Sequence, residues 1–232
     1  MEQITATSPS HTEQSSASHI AVIRSTHIVH EPSMVYHVTK RLLDIVLSAL
    51  GILFLLPVFL IIMLCIKFDD GGQLFHFREI IGLHGRRFRA LKFRTMIPDA
   101  DVYLAQHPEL LQKFQQNMKL ERDPRITRIG HFLRKTSLDE LPQLYNVLVG
   151  QMSLVGPRMI HPSELPRYGE WASKRLSVRP GITGLWQISG RQRTSYEDRI
   201  MYDMRYIDSR SFINDFVILI KTPKVLFKPT GV

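Results

Sequence analysis

From Ile45 to Ile66 the chain carries no charge, and the run Ile45-Val-Leu-Ser-Ala-Leu-Gly-Ile-Leu-Phe-Leu-Leu-Pro57-Val-Phe-Leu-Ile-Ile-Met-Leu-Cys-Ile66 is apolar almost throughout. About 20 such residues suffice to cross the hydrocarbon of a bilayer, so the pattern predicts a membrane-embedded helix rather than a core helix. Pro57 stands near the middle; proline removes a backbone donor and clashes with the preceding turn, which kinks or breaks a helix. Lys40 and Arg41 precede the run and Lys67 follows it, and from 78 to 94 six Arg and Lys residues face Glu79 alone. Basic flanks favour the cytoplasmic side. A hairpin that enters and returns to one face satisfies both flanks, whereas a straight span strands Lys40 and Arg41 outside, so the re-entrant reading is preferred. Asp44, at the edge of the run, is expected to pair with Lys40 or Arg41 one helical turn back.

The rest of the chain alternates short periodic segments with turn signals. Residues 1–33, rich in Ser, Thr, His and Gln, predict a disordered tail with no signal peptide. Residues 73–97 alternate in part (Leu74-Phe-His-Phe-Arg78, Phe88-Arg-Ala-Leu-Lys-Phe93) and predict short strands or a hairpin around Gly82 and Gly85. Helical periodicity covers 99–120, 126–135 and 139–149; Pro157, Pro162, Pro166 and Pro180-Gly181 punctuate a loop-rich stretch; helices return at 195–208 and at 212–227, the last ending near Pro223 or shortly after. The fold class expected is α+β and mainly helical: one domain over 34–232, with a membrane hairpin at 40–67 and a catalytic part at 68–232.

Charge narrows the partners. Thirty Lys and Arg against 21 Asp and Glu give +9 and a pI near 9.8, a balance that suits nucleic acid, an anionic membrane surface or phosphorylated ligands. The single cysteine, Cys65, lies inside the apolar run and excludes an intrachain disulfide, and no Cys/His cluster has zinc spacing.

The sharpest local signal is Arg134-Lys-Thr-Ser137-Leu-Asp139-Glu140-Leu-Pro142. Read plainly, Ser137-x-x-Glu140 is a capping box and Asp139 complements a helix dipole. The same geometry also suits chemistry. A helix N-terminus attracts phosphate, and a carboxylate there can act as a nucleophile or hold Mg²⁺. Adjacent helical residues point about 100° apart, so Asp139 and Glu140 cannot face each other across a sugar as a glycosidase pair does. An anionic nucleophile meeting a diphosphate needs cations, and Lys92, Arg94, Arg125, Arg128, Arg134 and Arg158 are candidates. Arg158 stands on the turn Gly156-Pro-Arg158. Trp186 lies in Arg179-Pro-Gly-Ile-Thr-Gly-Leu-Trp186-Gln-Ile-Ser-Gly-Arg191, and core packing is its simplest use. On residues alone two rivals stay open: a basic membrane-tethered adaptor without catalysis, and an inverting glycosyltransferase that releases nucleoside diphosphate.

The ordered set of motifs changes the weighting. Lys40-Arg-x-x-Asp44, the proline-interrupted apolar run, Lys92-Phe-Arg-Thr-Met96, Asp123-Pro-Arg-Ile-Thr-Arg-Ile-Gly130, Leu133-Arg-Lys-x-Ser-Leu-Asp-Glu-Leu-Pro-Gln143, Met152-Ser-Leu-Val-Gly-Pro-Arg158, the 179–191 stretch and Asp203-x-x-Tyr206 together resemble the bacterial sugar transferases, the monotopic phosphoglycosyl transferases that start exopolysaccharide and related glycans. The short galactosyl-1-phosphate transferases of exopolysaccharide synthesis are the nearest likeness. The resemblance implies a re-entrant membrane helix and an inner-membrane protein whose catalytic part faces the cytoplasm. It also implies a covalent phosphosugar on Asp139, with Glu140 as acid/base partner or positioner. Mg²⁺ would be held by Asp139 and the diphosphate. Lys92, Arg134 and Arg158 would be phosphate contacts, with Arg179 and Asp203 as further binding positions. The implied partners are a UDP-sugar, polyprenyl phosphate and membrane lipid, with other exopolysaccharide-assembly proteins beside them, and not nucleic acid. Two positions depart from the family pattern: Met159, where proline usually follows Gly-Pro-Arg, and Leu56, where some members carry serine before the proline.

Overall fold

The computed structural model describes residues 32–117, 120, 122–189 and 195–226; the tail expected over 1–33 lies, but for its last two residues, outside them. The apolar run forms part of one long helix, α1 (Met34–Asp70). The Ser33 hydroxyl accepts the Tyr36 N–H at its start, and Gly71, in the left-handed region, closes its end with an N–H to the Lys67 carbonyl. Among the described residues it is the one helix long and apolar enough to cross a membrane. Pro57 sits inside α1 rather than between two helices. Proline deletes a single N–H, and a helix can continue past it.

Both ends of α1 pack onto the rest of the protein, while one side of its middle stays exposed. In the first half, Arg41 donates from Nη1 to the Val147 carbonyl (2.6 Å) and from Nη2 to that of Leu148 (2.8 Å). The expected pair of Asp44 with Lys40 or Arg41 is replaced. Asp44 Oδ1 accepts the Leu154 N–H at 3.0 Å, and Lys40 Nζ reaches Asp215 at 2.6 Å. The buried Asp44 carboxylate satisfies a backbone donor, as buried N–H groups require. Asp215 also accepts from the hydroxyls of Tyr36 and Tyr206. In the second half, Ile62 and Ile66 enter a core with Phe93 and Leu133, and Asp70 pairs with Arg94. Between these anchors Leu53 and Phe54 are 70% and 83% exposed.

The hairpin expected at 73–97 is β1 (Phe75–Ile81) paired antiparallel with β2 (Arg87–Phe93), from Phe75↔Phe93 to Ile81↔Arg87. Strand alternation places Ala90 and Lys92, two residues apart, on one face of β2, Ala90 buried and Lys92 partly so. The segment 99–120 divides at His107-Pro108 into α2 (Ala100–Ala105) and α3 (Pro108–Asn117), because a residue before proline avoids helical angles. Then come α4 (Arg128–Thr136), a 3₁₀ turn (Leu138–Glu140) and α5 (Gln143–Leu148). A second, parallel pair joins β3 (Ser153–Val155) to β4 (Gly181–Thr183). Between them lie a 3₁₀ stretch (Pro162–Trp171) and α6 (Ala172–Arg175). α7 (Leu185–Ser189), α8 (Tyr196–Asp208) and α9 (Phe212–Leu226), which carries Pro223 inside it, follow. Met159 is buried with Ile80, Ala90, Val147 and Met152; the position that departs from the family pattern serves the core.

Candidate active site

Asp139 and Glu140 do not open a helix through a capping box. Ser137 adopts φ +58° and ends α4, its N–H donating to the carbonyls of Leu133 and Arg134, and its side chain caps nothing. A left-handed residue that closes one helix cannot take the extended angles an N-cap needs. The two acids therefore ride on one tight 3₁₀ turn between α4 and α5, and the positive potential around them comes from side chains rather than from a helix dipole.

Lys92, on β2, reaches both acids: its Nζ is 2.8 Å from Glu140 Oε1 and 3.5 Å from Asp139 Oδ2. Arg158 Nη2 lies 3.5 Å from the same Glu140 oxygen. Arg134 is held by a 2.8 Å bond from Nε to Thr95 Oγ1 and acts on Asp139 through its charge. Asp139 is buried, and burial pushes its carboxyl above the usual carboxylate range; Lys92 and Arg134 pull it back down, and neighbouring Glu140 pushes it up. Among the described residues Oδ1 of Asp139 has no hydrogen-bond partner.

Arg158 owes its place to glycine and to a buried acid. A Cβ on Gly181 would lie 2.1 Å from the Gly156 nitrogen, so β3 and β4 can approach only with glycine there. The backbone of Arg158, just beyond, is held at its carbonyl, which accepts from Arg175 Nη2 at 2.7 Å, and the Arg175 guanidinium in turn lies 3.8 Å from Asp203. Asp203 is sequestered at 1% exposure and also accepts the Tyr168 hydroxyl at 2.7 Å. Burial drives its carboxyl upward, against Arg175 and Tyr168. The Asp203 carboxylate thus backs Arg158 through Arg175. Replacing Tyr168 by Phe should leave a buried carboxylate oxygen short of a donor and lower stability by about 1.5–3 kcal/mol. Thermal unfolding of the detergent-solubilised protein measures this, and an unchanged midpoint counts against the positioning network.

The structure thus gathers Lys92, Arg134, Arg158, Asp139 and Glu140 into one cluster. Arg179 joins a different group: its Nε donates to the Gly150 carbonyl at 2.8 Å, and it lines a cleft with Arg41. Arg94 is spent on Asp70, and Arg125 is buried against Asp123 at 2.7 Å and over Phe114, so both serve the fold; Arg128 is exposed. Sequence reading passed over Arg199, whose guanidinium stacks on Trp186 5.4 Å from the ring centre, as does that of Arg158. It also passed over Arg78, which pairs with Glu164 at 3.3 Å, as Arg199 does. Neither stands in a distinctive motif, so no local signal marks them. Trp186, for which core packing was the simplest expectation, is half-buried between two arginines.

No group of three or more potential His, Cys, Asp or Glu ligands gathers among the described residues. Mg²⁺ does not require such a cage: it keeps several waters and commonly binds through one or two carboxylates plus substrate phosphates. The partner-free Oδ1 of Asp139 fits that mode.

Comparison with known proteins supplies the family. The family model for bacterial sugar transferases matches residues 35–229. An uncharacterized sugar transferase of Haemophilus influenzae is 46% identical over 198 residues, 84% of this chain and 42% of that protein. The exopolysaccharide production protein ExoY of Rhizobium meliloti is 44% identical over 187 residues, 79% of this chain and 83% of its own length. The undecaprenyl-phosphate galactose phosphotransferase of Salmonella typhimurium is 43% identical over 197 residues, 83% of this chain and 41% of its own. The chain therefore spans about four tenths of some relatives and more than four fifths of another. A match along nearly the whole described region, containing the Asp139–Glu140 turn and its cations, establishes that this chain belongs to the bacterial sugar transferase family.

Proposed function

We propose that the chain transfers a hexose-1-phosphate, galactose-1-phosphate first and glucose-1-phosphate next, from a UDP-sugar to polyprenyl phosphate, at an early membrane step of exopolysaccharide or related glycan synthesis. The observation that carries this reading is a buried aspartate beside a glutamate on one tight turn, with Lys92 and Arg134 acting on the aspartate and Lys92 and Arg158 on the glutamate. A carboxylate oxygen of Asp139 attacks the phosphorus that bears the sugar, the bond from that phosphorus to the UMP oxygen breaks, and UMP leaves with the electron pair. An oxygen of the lipid phosphate then attacks the same phosphorus, and the bond to Asp139 breaks, restoring the carboxylate. Lys92 and Arg158 hold Glu140 beside the reacting carboxylate and offer charge to the phosphoryl oxygens. Dividing the transfer in two lets one cationic pocket serve both substrates in turn. When bound at Asp139 and the diphosphate, Mg²⁺ would supply charge neutralisation at the phosphates.

The membrane placement proposed is a monotopic one, at the cytoplasmic face of the inner membrane. What supports it is that Arg41 and Asp44 before the apolar run, and Ile66 and Asp70 after it, all hold onto the same compact unit. A straight span would put those two flanks on opposite sides of the bilayer, some 30 Å apart. The name of the Salmonella relative supplies the galactose and undecaprenyl assignments. Incubation with UDP-galactose or UDP-glucose, polyprenyl phosphate and Mg²⁺ should release UMP. Release of UDP instead would identify an inverting glycosyltransferase and overturn the reading, and no release from any UDP-sugar of a panel would favour the adaptor.

A further inference from the structure

Away from the dyad, two arginines converge on one residue. Arg41 donates both terminal nitrogens to the carbonyls of Val147 and Leu148, and its guanidinium passes so near Gly150 that a Cβ there would lie 3.1 Å from Nη2. Arg179 donates Nε to the carbonyl of the same Gly150. Gly150 has φ +88°, so backbone angle and close approach both call for glycine. Among the described residues neither guanidinium forms an ion pair with a carboxylate. Burial and the charge of Arg41 both disfavour a proton on Arg179; Asp44 is the acid that opposes them, and its Oδ1 is engaged by the Leu154 N–H. With His37, Val38 and Leu42 the arginines line an open cleft of about 340 Å³, and Val38 and Leu42 are 53% and 57% exposed.

We propose that this cleft is a second anion site, separate from the dyad, which takes the phosphate of an anionic lipid headgroup. Two like charges held together by backbone carbonyls repel, and a phosphate between them offsets the repulsion while accepting hydrogen bonds from guanidinium forks. Residues 37–42 immediately precede the uncharged run that starts at Ile45. With that run in hydrocarbon the cleft stands at headgroup depth, where Val38 and Leu42 meet the upper part of an acyl chain and the arginines meet the phosphate. A soluble phosphate has no use for that apolar edge. The inference rests on the membrane placement above and not on the transfer chemistry.

The test uses the full chain in neutral detergent, titrated with dioctanoyl phosphatidylglycerol, dioctanoylglycerol or inorganic phosphate while thermal unfolding is followed. Phosphatidylglycerol should raise the midpoint saturably. Arg179→Gln should weaken the apparent affinity about tenfold. Leu42→Glu, at an exposed position that places a carboxylate at the cleft mouth, should abolish the shift even where Arg179→Gln fails to unfold cooperatively. Asp139→Asn should leave the shift intact, so a failed transferase reading, judged by UMP release, remains distinct from a failed lipid site. An equal shift from dioctanoylglycerol would reduce the cleft to an apolar contact. One from inorganic phosphate would assign it to a soluble anion. A phosphatidylglycerol shift unaltered by both cleft variants would place binding elsewhere. Each of these three results overturns the proposal.

Discussion

Asp139→Asn should lower UMP release by about three orders of magnitude or more and, at neutral pH, raise the thermal midpoint. The loss follows from removing the nucleophile: an amide of the same shape keeps the turn but cannot attack phosphorus. The gain follows from the direction of the Asp139 shift. Burial holds its carboxyl above the ordinary carboxylate range, so the folded chain binds that proton more tightly than the unfolded chain does. Stability is then greatest below the ordinary value, falls as pH rises from there through the raised value, and stays lower beyond it. Asparagine never carries the buried charge and escapes that loss. Unfolding followed across pH should therefore show wild type and variant converging in acid and separating toward neutrality, with the variant the more stable. A variant that is less stable at pH 7 and still turns over would make Asp139 a structural residue. Activity and stability moving in opposite directions is the signature expected where a fold tolerates a buried charge for the sake of chemistry.

Much of the fold was legible because its signals are local. The alternation around Phe88–Phe93 and the turn glycines Gly82 and Gly85 suffice for the hairpin, and the uncharged run suffices for α1. The path at Pro57 was not legible. A proline specifies the loss of a donor, and whether the chain then turns or continues depends on what holds each end; here Arg41, Asp44, Ile62 and Ile66 do. The Ser137-x-x-Glu140 pattern misled for a related reason. It fits the start of a helix, but the preceding helix needed a left-handed residue to close it, and Ser137 was taken for that purpose. In the site, cations inside motifs could be named but not sorted. Lys92 and Arg94 are two residues apart on one segment, yet Lys92 meets the dyad and Arg94 turns to Asp70, at the end of α1. Asp203 was recognised as a polar position of interest, while its part behind the Arg158 backbone depends on Tyr168 and Arg175, contacts made across 28 residues or more of chain.

Lys92→Met should cost about a hundredfold to a thousandfold in turnover at neutral pH, and its pH profile should reveal why. Lys92 is the foremost group drawing the Asp139 carboxyl downward against burial, and it is the nearest described cation to Glu140 Oε1. Removing it leaves two acids side by side with less compensation, so the Asp139 carboxyl rises further. Because the attacking form is the ionised one, the acid limb of UMP release should move to higher pH in the variant. Part of the lost rate should then return as the medium becomes more alkaline. Lys92→Arg keeps the charge but replaces a compact ammonium with a planar fork; it should restore the position of the limb more fully than it restores the maximal rate. A limb that stays fixed in Lys92→Met while the rate falls at every pH would mean that Lys92 only binds substrate phosphate. In that case the ionisation of Asp139 would have to be set by Arg134 and by desolvation alone, and the link between the β2 lysine and the nucleophile would be broken.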